Sequence, residues 1–147
     1  MSDNLQGLLD QISSPKDLRA LLDIEGMDDA VIDQFIGSVG AQAMLGRVFS
    51  LMATRYKPKG RLRGGIVQWE IDTPGGRHTY QLLLTPMGAR SFEGVRGRPR
   101  VTLRMATPTL LHLCAGRLDP VAAFRERKIK IRGNLLFGAL MPRWFDY

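Results

Sequence analysis

A chain of 147 residues, 44% of them hydrophobic and 24% charged, has the composition of one globular domain, which excludes extensive disorder. The formal charge of +7 favours anionic partners, and it does not by itself distinguish nucleic acids, anionic membranes and phosphorylated ligands. Only 7% of the residues are aromatic, whereas surfaces that bind single-stranded nucleic acid interleave aromatic and basic side chains. We therefore expect no nucleic-acid partner. The single cysteine, Cys114, excludes an internal disulfide.

The basic residues are unevenly distributed along the chain. Lys16 and Arg19 are the only ones before Arg47, and acidic side chains outnumber them there. The longest apolar run, Leu135–Met141, is far shorter than the ~18 residues of a membrane span. The polar start of the chain does not have the pattern of a secretory signal. These features predict a cytoplasmic protein with an acidic front and a basic remainder.

The first third of the chain has helical periodicity. Ser14–Asp17 has the composition of a helix start, with proline at the first helical position and an acid in the first turn. From Asp28 a second apolar stripe continues at helical spacing as far as Tyr56. Gly37 and Gly40 interrupt it, so we predict that the helix is divided there.

After a predicted linker at Lys57–Arg63, the apolar period changes from helical to alternating. Val67–Ile71 and His78–Thr85 alternate between apolar and polar side chains, and Thr73–Gly76 between them has the composition of a turn. This pattern predicts a β-hairpin. Two further strands are predicted at Ser91–Val95 and Val101–Met105.

Helix signals return in the last third. Thr107 and Pro108 begin a helix that ends near Gly116, and Asp119 with Pro120 begins a second. Lys128–Arg132 alternates basic side chains with isoleucine and predicts a last strand, and Leu135–Met141 predicts a last helix. This order of elements predicts an α+β layered domain.

The order of the elements from residue 101 to residue 138 resembles that of the type 2 sterol-carrier-protein family of lipid-binding domains, in its bacterial single-domain form. The matching pieces are an alternating strand, a short helix ending in Gly-Arg-Leu, an Asp-Pro helix start, a basic strand and a Gly-Asn pair: Val101–Met105, Gly116–Leu118, Asp119–Phe124, Lys128–Arg132 and Gly133–Asn134. The hairpin of residues 65–84 fits the opening strands of the family. The resemblance covers residues 44–145.

The resemblance implies an α+β fold: a five-stranded, mostly antiparallel sheet, covered on one face by helices, with an apolar cavity between them. It also implies a division of the chain into an N-terminal helical extension, residues 1–43, and a lipid-binding domain, residues 44–147. A chain that begins near Asp28 is therefore expected to remain folded. The sequence departs from the family at Arg127, where family members often have glycine, and it lacks the peroxisomal address of the eukaryotic members.

The function that the resemblance implies is the binding, shielding or transfer of a hydrophobic molecule of the sterol, fatty acyl, isoprenoid or polyketide type. From pattern alone, the apolar residues of the strands and helices form a packed core. With the resemblance, they are expected to line the cavity: Trp69, Leu82, Leu103, Met105, Leu110, Phe124, Leu136 and Leu140.

No catalytic residue, metal site or cofactor is predicted. The candidates for catalysis or metal binding are His78, His112 and Cys114. His112 and Cys114 are two positions apart on a predicted helix, so their side chains do not face each other. Two alternatives stay open. The cavity can serve an enzyme that orients a hydrophobic intermediate for cyclisation or isomerisation, or the acidic N-terminal helices can bind a partner protein.

A basic patch is predicted on the outer face of the sheet. Alternation turns the basic side chains of the last two strands away from the apolar face, and the resembled fold makes these strands neighbours. The patch comprises Arg100, Arg104, Lys128, Lys130 and Arg132. We expect it to bind anionic membrane surfaces, unless Glu70 and Asp72 on the first strand neutralise it.

Overall fold

The computed structural model describes residues 15–57 and 64–134, beginning with three helices. These are α1 (Pro15–Leu22), α2 (Asp29–Val39) and α3 (Ala41–Thr54). Asp28 caps α2, because its carboxylate accepts a hydrogen bond of 2.9 Å from the backbone N–H of Val31. Gly40, with φ of +102°, separates α2 from α3, and the predicted division of the helix is confirmed.

Five strands and two more helices follow. They are β1 (Gly65–Thr73), β2 (Gly76–Thr85), β3 (Gly88–Glu93), β4 (Val101–Ala106), α4 (Thr107–Cys114), α5 (Pro120–Arg125) and β5 (Ile129–Gly133). The sheet has the order β3-β2-β1-β4-β5, and only the β1–β4 pairing is parallel. The predicted α+β fold with a five-stranded, mostly antiparallel sheet is confirmed. The third strand begins three residues earlier than predicted, at Gly88 instead of Ser91.

Helices cover one face of this sheet. The side chains at alternate positions of β1, β2 and β4 share a core with those of α3 and α4. The predicted last helix, Leu135–Met141, and residues 58–63 of the predicted linker lie outside the described residues. No single described helix is long and apolar enough to cross a membrane, and α2 with α3 passes such a test only as a pair bent by 107°.

The connection from β3 to β4, residues 94–100, joins strands on opposite sides of the β1–β2 pair. A buried side chain, Gln81, secures it from β2. Its Nε2 donates to the carbonyl of Gly97 at 2.9 Å, and its Oε1 accepts from the backbone N–H groups of Arg96 and Gly97 at 2.9 and 3.1 Å. Since both ends of the amide are bonded, burial leaves no polar atom of Gln81 unsatisfied. The connection is thereby fixed to the sheet.

Helix α1 belongs to the same core as the sheet. Leu18 and Leu22 are buried in that core, and α1 lies against α4. Arg19 Nε also donates to the carbonyl of Ala115, at 3.0 Å. That a chain beginning near Asp28 stays folded remains a prediction, and this packing argues against it, because such a truncation uncovers apolar surface on α4.

Replacing Leu18 with alanine is therefore expected to lower the free energy of unfolding by about 2–4 kcal/mol, the cost of a cavity in a packed core. Urea denaturation monitored by circular dichroism measures this. Lys16→Ala, two residues away at an exposed position, is the control and should change stability by less than about 0.5 kcal/mol. A Leu18→Ala protein as stable as the control would show that α1 is a removable extension.

The turn before β5 has the backbone that glycine favours, although it carries arginine. Arg127 has φ of +62°, and it is the only described residue other than glycine with positive φ. The N–H groups of Arg127 and Lys128 bond to the carbonyls of Phe124 and Ala123, at 3.1 and 2.9 Å. These two bonds form a Schellman motif at the end of α5. At this departure from the resembled family, arginine therefore adopts the left-handed backbone that glycine favours.

An Arg127→Gly protein should be more stable by up to about 1 kcal/mol. Glycine relieves a left-handed conformation that costs about 1–2 kcal/mol, and part of this gain is lost to greater freedom of the unfolded chain. Arg127→Ala is the matched control, since it removes the guanidinium and keeps the β-carbon. Thermal unfolding that ranks alanine equal to glycine would contradict this explanation.

Candidate functional site

The inner face of the sheet is built by the alternating apolar residues of the three middle strands. In the strand register, Trp69 lies between Tyr80 on β2 and Leu103 on β4, and Ile71 lies beside Met105. Five of the residues predicted to line a ligand cavity are buried in the core under the helices: Trp69, Leu82, Leu103, Met105 and Leu110. Whether they contact a ligand stays a prediction.

An aromatic cluster joins the sheet to α3. The ring of Phe49 lies 4.8 Å from that of Tyr80 in a stacked arrangement and 5.5 Å from that of Trp69 in a tilted one, measured between centroids. The Tyr80 hydroxyl donates to the carbonyl of Gln42, at 3.3 Å. Sequence analysis did not include Phe49 or Tyr80 among the site residues. Helical spacing for Phe49 and strand alternation for Tyr80 were the available signals.

Trp69 has a buried polar atom that its surroundings leave unused. The side chain is only 4% exposed, and no described residue accepts a hydrogen bond from its Nε1–H. A buried donor without an acceptor costs about 1–3 kcal/mol, and native proteins contain few of them. The inner face therefore contains a polar group that is available to an acceptor from outside the described chain.

The remaining predicted cavity residues are placed differently. Phe124 on α5 is 48% exposed, and Val121 on the same helix is exposed as well. The buried residue of α5 is Ala123 instead. Leu136 and Leu140 lie outside the described residues. Of the predicted set, the buried part therefore comes from β1, β2, β4 and α4.

A separate surface pocket of about 340 Å³ lies at the turn between β2 and β3. It is lined by residues of the two strand ends and the turn between them, among them Leu83, Met87 and Arg90. None of the residues predicted to bind a ligand contributes to it. The pocket thus lies apart from the apolar layer around Trp69.

The outer face of the sheet is a network of ion pairs. Arg132 on β5 donates to both carboxylate oxygens of Glu70 on β1, at 3.2 and 3.1 Å. Asp72 accepts from Arg77 and from Arg104, each at 3.1 Å. Partial burial raises the pKa of Asp72, but the hydrogen bonds from Arg77 and Arg104 outweigh it and hold that pKa below its usual value. Glu70 and Asp72 thus neutralise part of the predicted basic patch, through Arg132 and Arg104.

The other members of the predicted basic patch lie around this network. Lys130 lies beside Arg104 in the strand register and is exposed. Lys128 precedes β5 and pairs with Glu126 at 3.1 Å. The guanidinium of Arg100 donates to the carbonyl of Gly64, at 3.4 Å. These residues thus lie on or beside β4 and β5, and part of their charge is neutralised.

The nucleophilic and metal-ligating residues of the described chain form no site. Burial raises the pKa of the Cys114 thiol to about 12, so it is protonated at neutral pH and is a poor nucleophile. His112 Nε2 lies 3.4 Å from a carboxylate oxygen of Asp29. Within residues 15–57 and 64–134, no three His, Cys, Asp or Glu side chains are grouped so that they could hold a metal ion.

The geometry therefore defines a class: an α+β domain whose mixed five-stranded sheet has an apolar face under helices and an ion-paired face outside. The model of the SCP-2 sterol transfer family matches residues 53–143, which is more than half of the chain. The chain belongs to this family. A search of curated proteins by sequence gives no match.

Solved structures share the fold. The crystal structure of sterol carrier protein 2 like 2 from Aedes aegypti has a TM-score of 0.60 at 20% identity, covering 71% of this chain and 98% of that one. Sterol carrier protein 2 from Aedes aegypti, solved in complex with palmitate, has a TM-score of 0.52 at 21% identity and covers 65% of this chain and 89% of that one. Both support the assigned architecture.

A larger enzyme contains a similar fold. The sec-alkylsulfatase Pisa1 from Pseudomonas sp. has a TM-score of 0.58 at 14% identity. The alignment covers 99% of this chain and 30% of the enzyme. The likeness in fold thus extends beyond the residues matched by the family model and into the N-terminal helices.

Proposed function

We propose that this chain binds a hydrophobic small molecule, of the sterol, fatty acyl, isoprenoid or polyketide type, between the inner face of its sheet and the helices, and shields or transfers it. The observation that carries the proposal is the apolar layer around Trp69 in a member of the SCP-2 sterol transfer family. The palmitate complex of a structurally similar protein also supports it.

Burial of the ligand supplies the binding energy. Each buried CH₂ group contributes about 0.8 kcal/mol, so a chain of a dozen carbons contributes roughly 10 kcal/mol before the costs of association. Met44, Met52 and Met105 lie in the core, and methionine side chains adapt to irregular apolar shapes. A micromolar affinity, which requires about 8 kcal/mol, is within reach of this layer.

Native mass spectrometry of freshly purified protein should therefore detect a co-purifying hydrophobic ligand. After delipidation, the protein should bind the neutral fluorescent probe diphenylhexatriene saturably, and palmitate or cholesterol should displace it. Met105→Gln places a polar amide in the layer and should weaken probe binding at least about fivefold, since an unpaired polar group is costly to bury. Met105→Leu, which conserves apolar volume, is the matched control and should bind normally.

Absence of saturable probe binding by the unmodified protein, together with no competition by either lipid, would contradict the proposal. Thermal unfolding of both variants checks that a loss of binding by Met105→Gln does not result from unfolding. Equal binding by both variants would place the ligand away from β4.

We propose in addition that the outer face of the sheet attracts the domain to anionic membranes. Five basic side chains of the strands, Arg77, Arg90, Arg104, Lys130 and Arg132, share this face with two acidic ones, Glu70 and Asp72. A basic side chain near an anionic surface contributes about 1 kcal/mol, and salt screens the attraction. The excess of positive charge supports weak, reversible binding.

Co-sedimentation with vesicles tests this attraction. The protein should bind vesicles that contain phosphatidylglycerol, release them as salt is raised, and ignore pure phosphatidylcholine. Lys128→Gln with Lys130→Gln should weaken binding roughly five- to thirtyfold and leaves the Glu70–Arg132 pair intact. Lys16→Gln with Lys57→Gln removes the same charge elsewhere as a control. Equal loss in both double variants would mean that net charge, and not this face, is responsible.

A further inference from the structure

The unused N–H of Trp69 lies in the middle of the inner face. Trp69 belongs to β1, the central strand of the sheet, and its neighbours in register are Tyr80 and Leu103. Its side chain packs beside Phe49 of α3, and its Nε1–H has no acceptor among the described residues. Among the described residues a donor at this depth remains unsatisfied, and an acceptor from outside them, such as a molecule that enters the layer, would satisfy it.

The described side chains around Trp69 offer its N–H no acceptor. The inner-face positions of β1 and β4 next to it are apolar: Val67, Ile71, Val101, Leu103 and Met105. The nearest hydroxyl in register, that of Tyr80, already donates to the carbonyl of Gln42. Glu70, Asp72 and Arg104 alternate to the outer face. An acceptor that bonds to Trp69 therefore meets apolar surroundings.

We propose that the indole N–H of Trp69 donates a hydrogen bond to a neutral oxygen of the bound ligand, as in a ketone, an ester or a hydroxyl group. This inference rests on the proposed function and specifies the ligand: an uncharged lipid with an oxygen acceptor that is buried along with its apolar part. An ionised carboxylate at the same place would be buried without a cation, which is strongly unfavourable. The neutral acceptor satisfies the donor without burying a charge.

Three probes of equal chain length separate these possibilities. They are 2-tridecanone, which offers a neutral acceptor, tridecane, which offers none, and tridecanoate, which is ionised at neutral pH. Each competes with diphenylhexatriene, a hydrocarbon whose own binding does not use the N–H group. The ketone gives up hydrogen bonds to water when it binds, and this cost is the same for every variant. The readout is therefore the ratio of ketone affinity to tridecane affinity, compared between variants.

Trp69→Phe keeps an aromatic ring and removes the donor. It should lower the ketone-to-tridecane affinity ratio about five- to thirtyfold, the effect of one hydrogen bond to a buried group. Tyr80→Phe is the matched control, because it removes a neighbouring hydroxyl that is already bonded to the backbone. It should leave the ratio within about twofold. Tridecanoate should compete less well than the ketone with the unmodified protein.

A second measurement uses the unmodified protein and does not depend on the folding of a variant. The indole proton of Trp69, assigned by comparison with Trp144→Phe, should move downfield in the proton–nitrogen NMR spectrum with 2-tridecanone and not with tridecane. An unchanged ratio in Trp69→Phe, or identical shifts with both ligands, would overturn the inference while the proposed function stands. Stronger competition by tridecanoate than by the ketone would overturn the neutral ligand. Failure of all probes to bind would overturn both proposals.

Discussion

Strand β1 pairs with β2 on one side and with β4 on the other, and both faces of the domain depend on this central position. Because side chains alternate along a strand, the same segment places Trp69 under the helices and Glu70 on the outer face. Phe49 of α3 packs on Trp69, and Arg132 of the edge strand β5 bonds to Glu70. One strand thus links the helical layer to the far edge of the sheet.

Alternation made much of the inner face predictable, since a period of two identifies Trp69, Leu82, Leu103 and Met105 as one surface without knowledge of their partners. The helix caps were equally predictable, because they depend only on residues next to each other in the sequence. The exposure of Phe124 was harder to predict, because a helix of six residues is too short for periodicity to show which side is covered. The burial of Gln81 depends on a connection fifteen residues further along the chain. The parallel pairing of β1 with β4 likewise joins distant segments, and no local pattern encodes it.

The uneven charge of the sequence has a structural counterpart. The structure brings parts of the acidic front and of the basic remainder together. Asp23 after α1 lies 3.3 Å from Arg117 after α4, and Asp29 on α2 lies near His112. Both acidic partners are more than half exposed, so each contact adds little to stability.

The contact between Arg19 and Ala115 spans 96 residues, and Leu18 beside it is buried in the same core. Ribosomes add about 5–20 residues per second, so α1 precedes its partner helix by roughly 5–20 s. During that interval its leucines have no native surface to cover them. The apolar face of α1 thus stays exposed on the nascent chain until α4 has been synthesised. The order of synthesis makes α1 the first helix described here to emerge and one of the last to be packed.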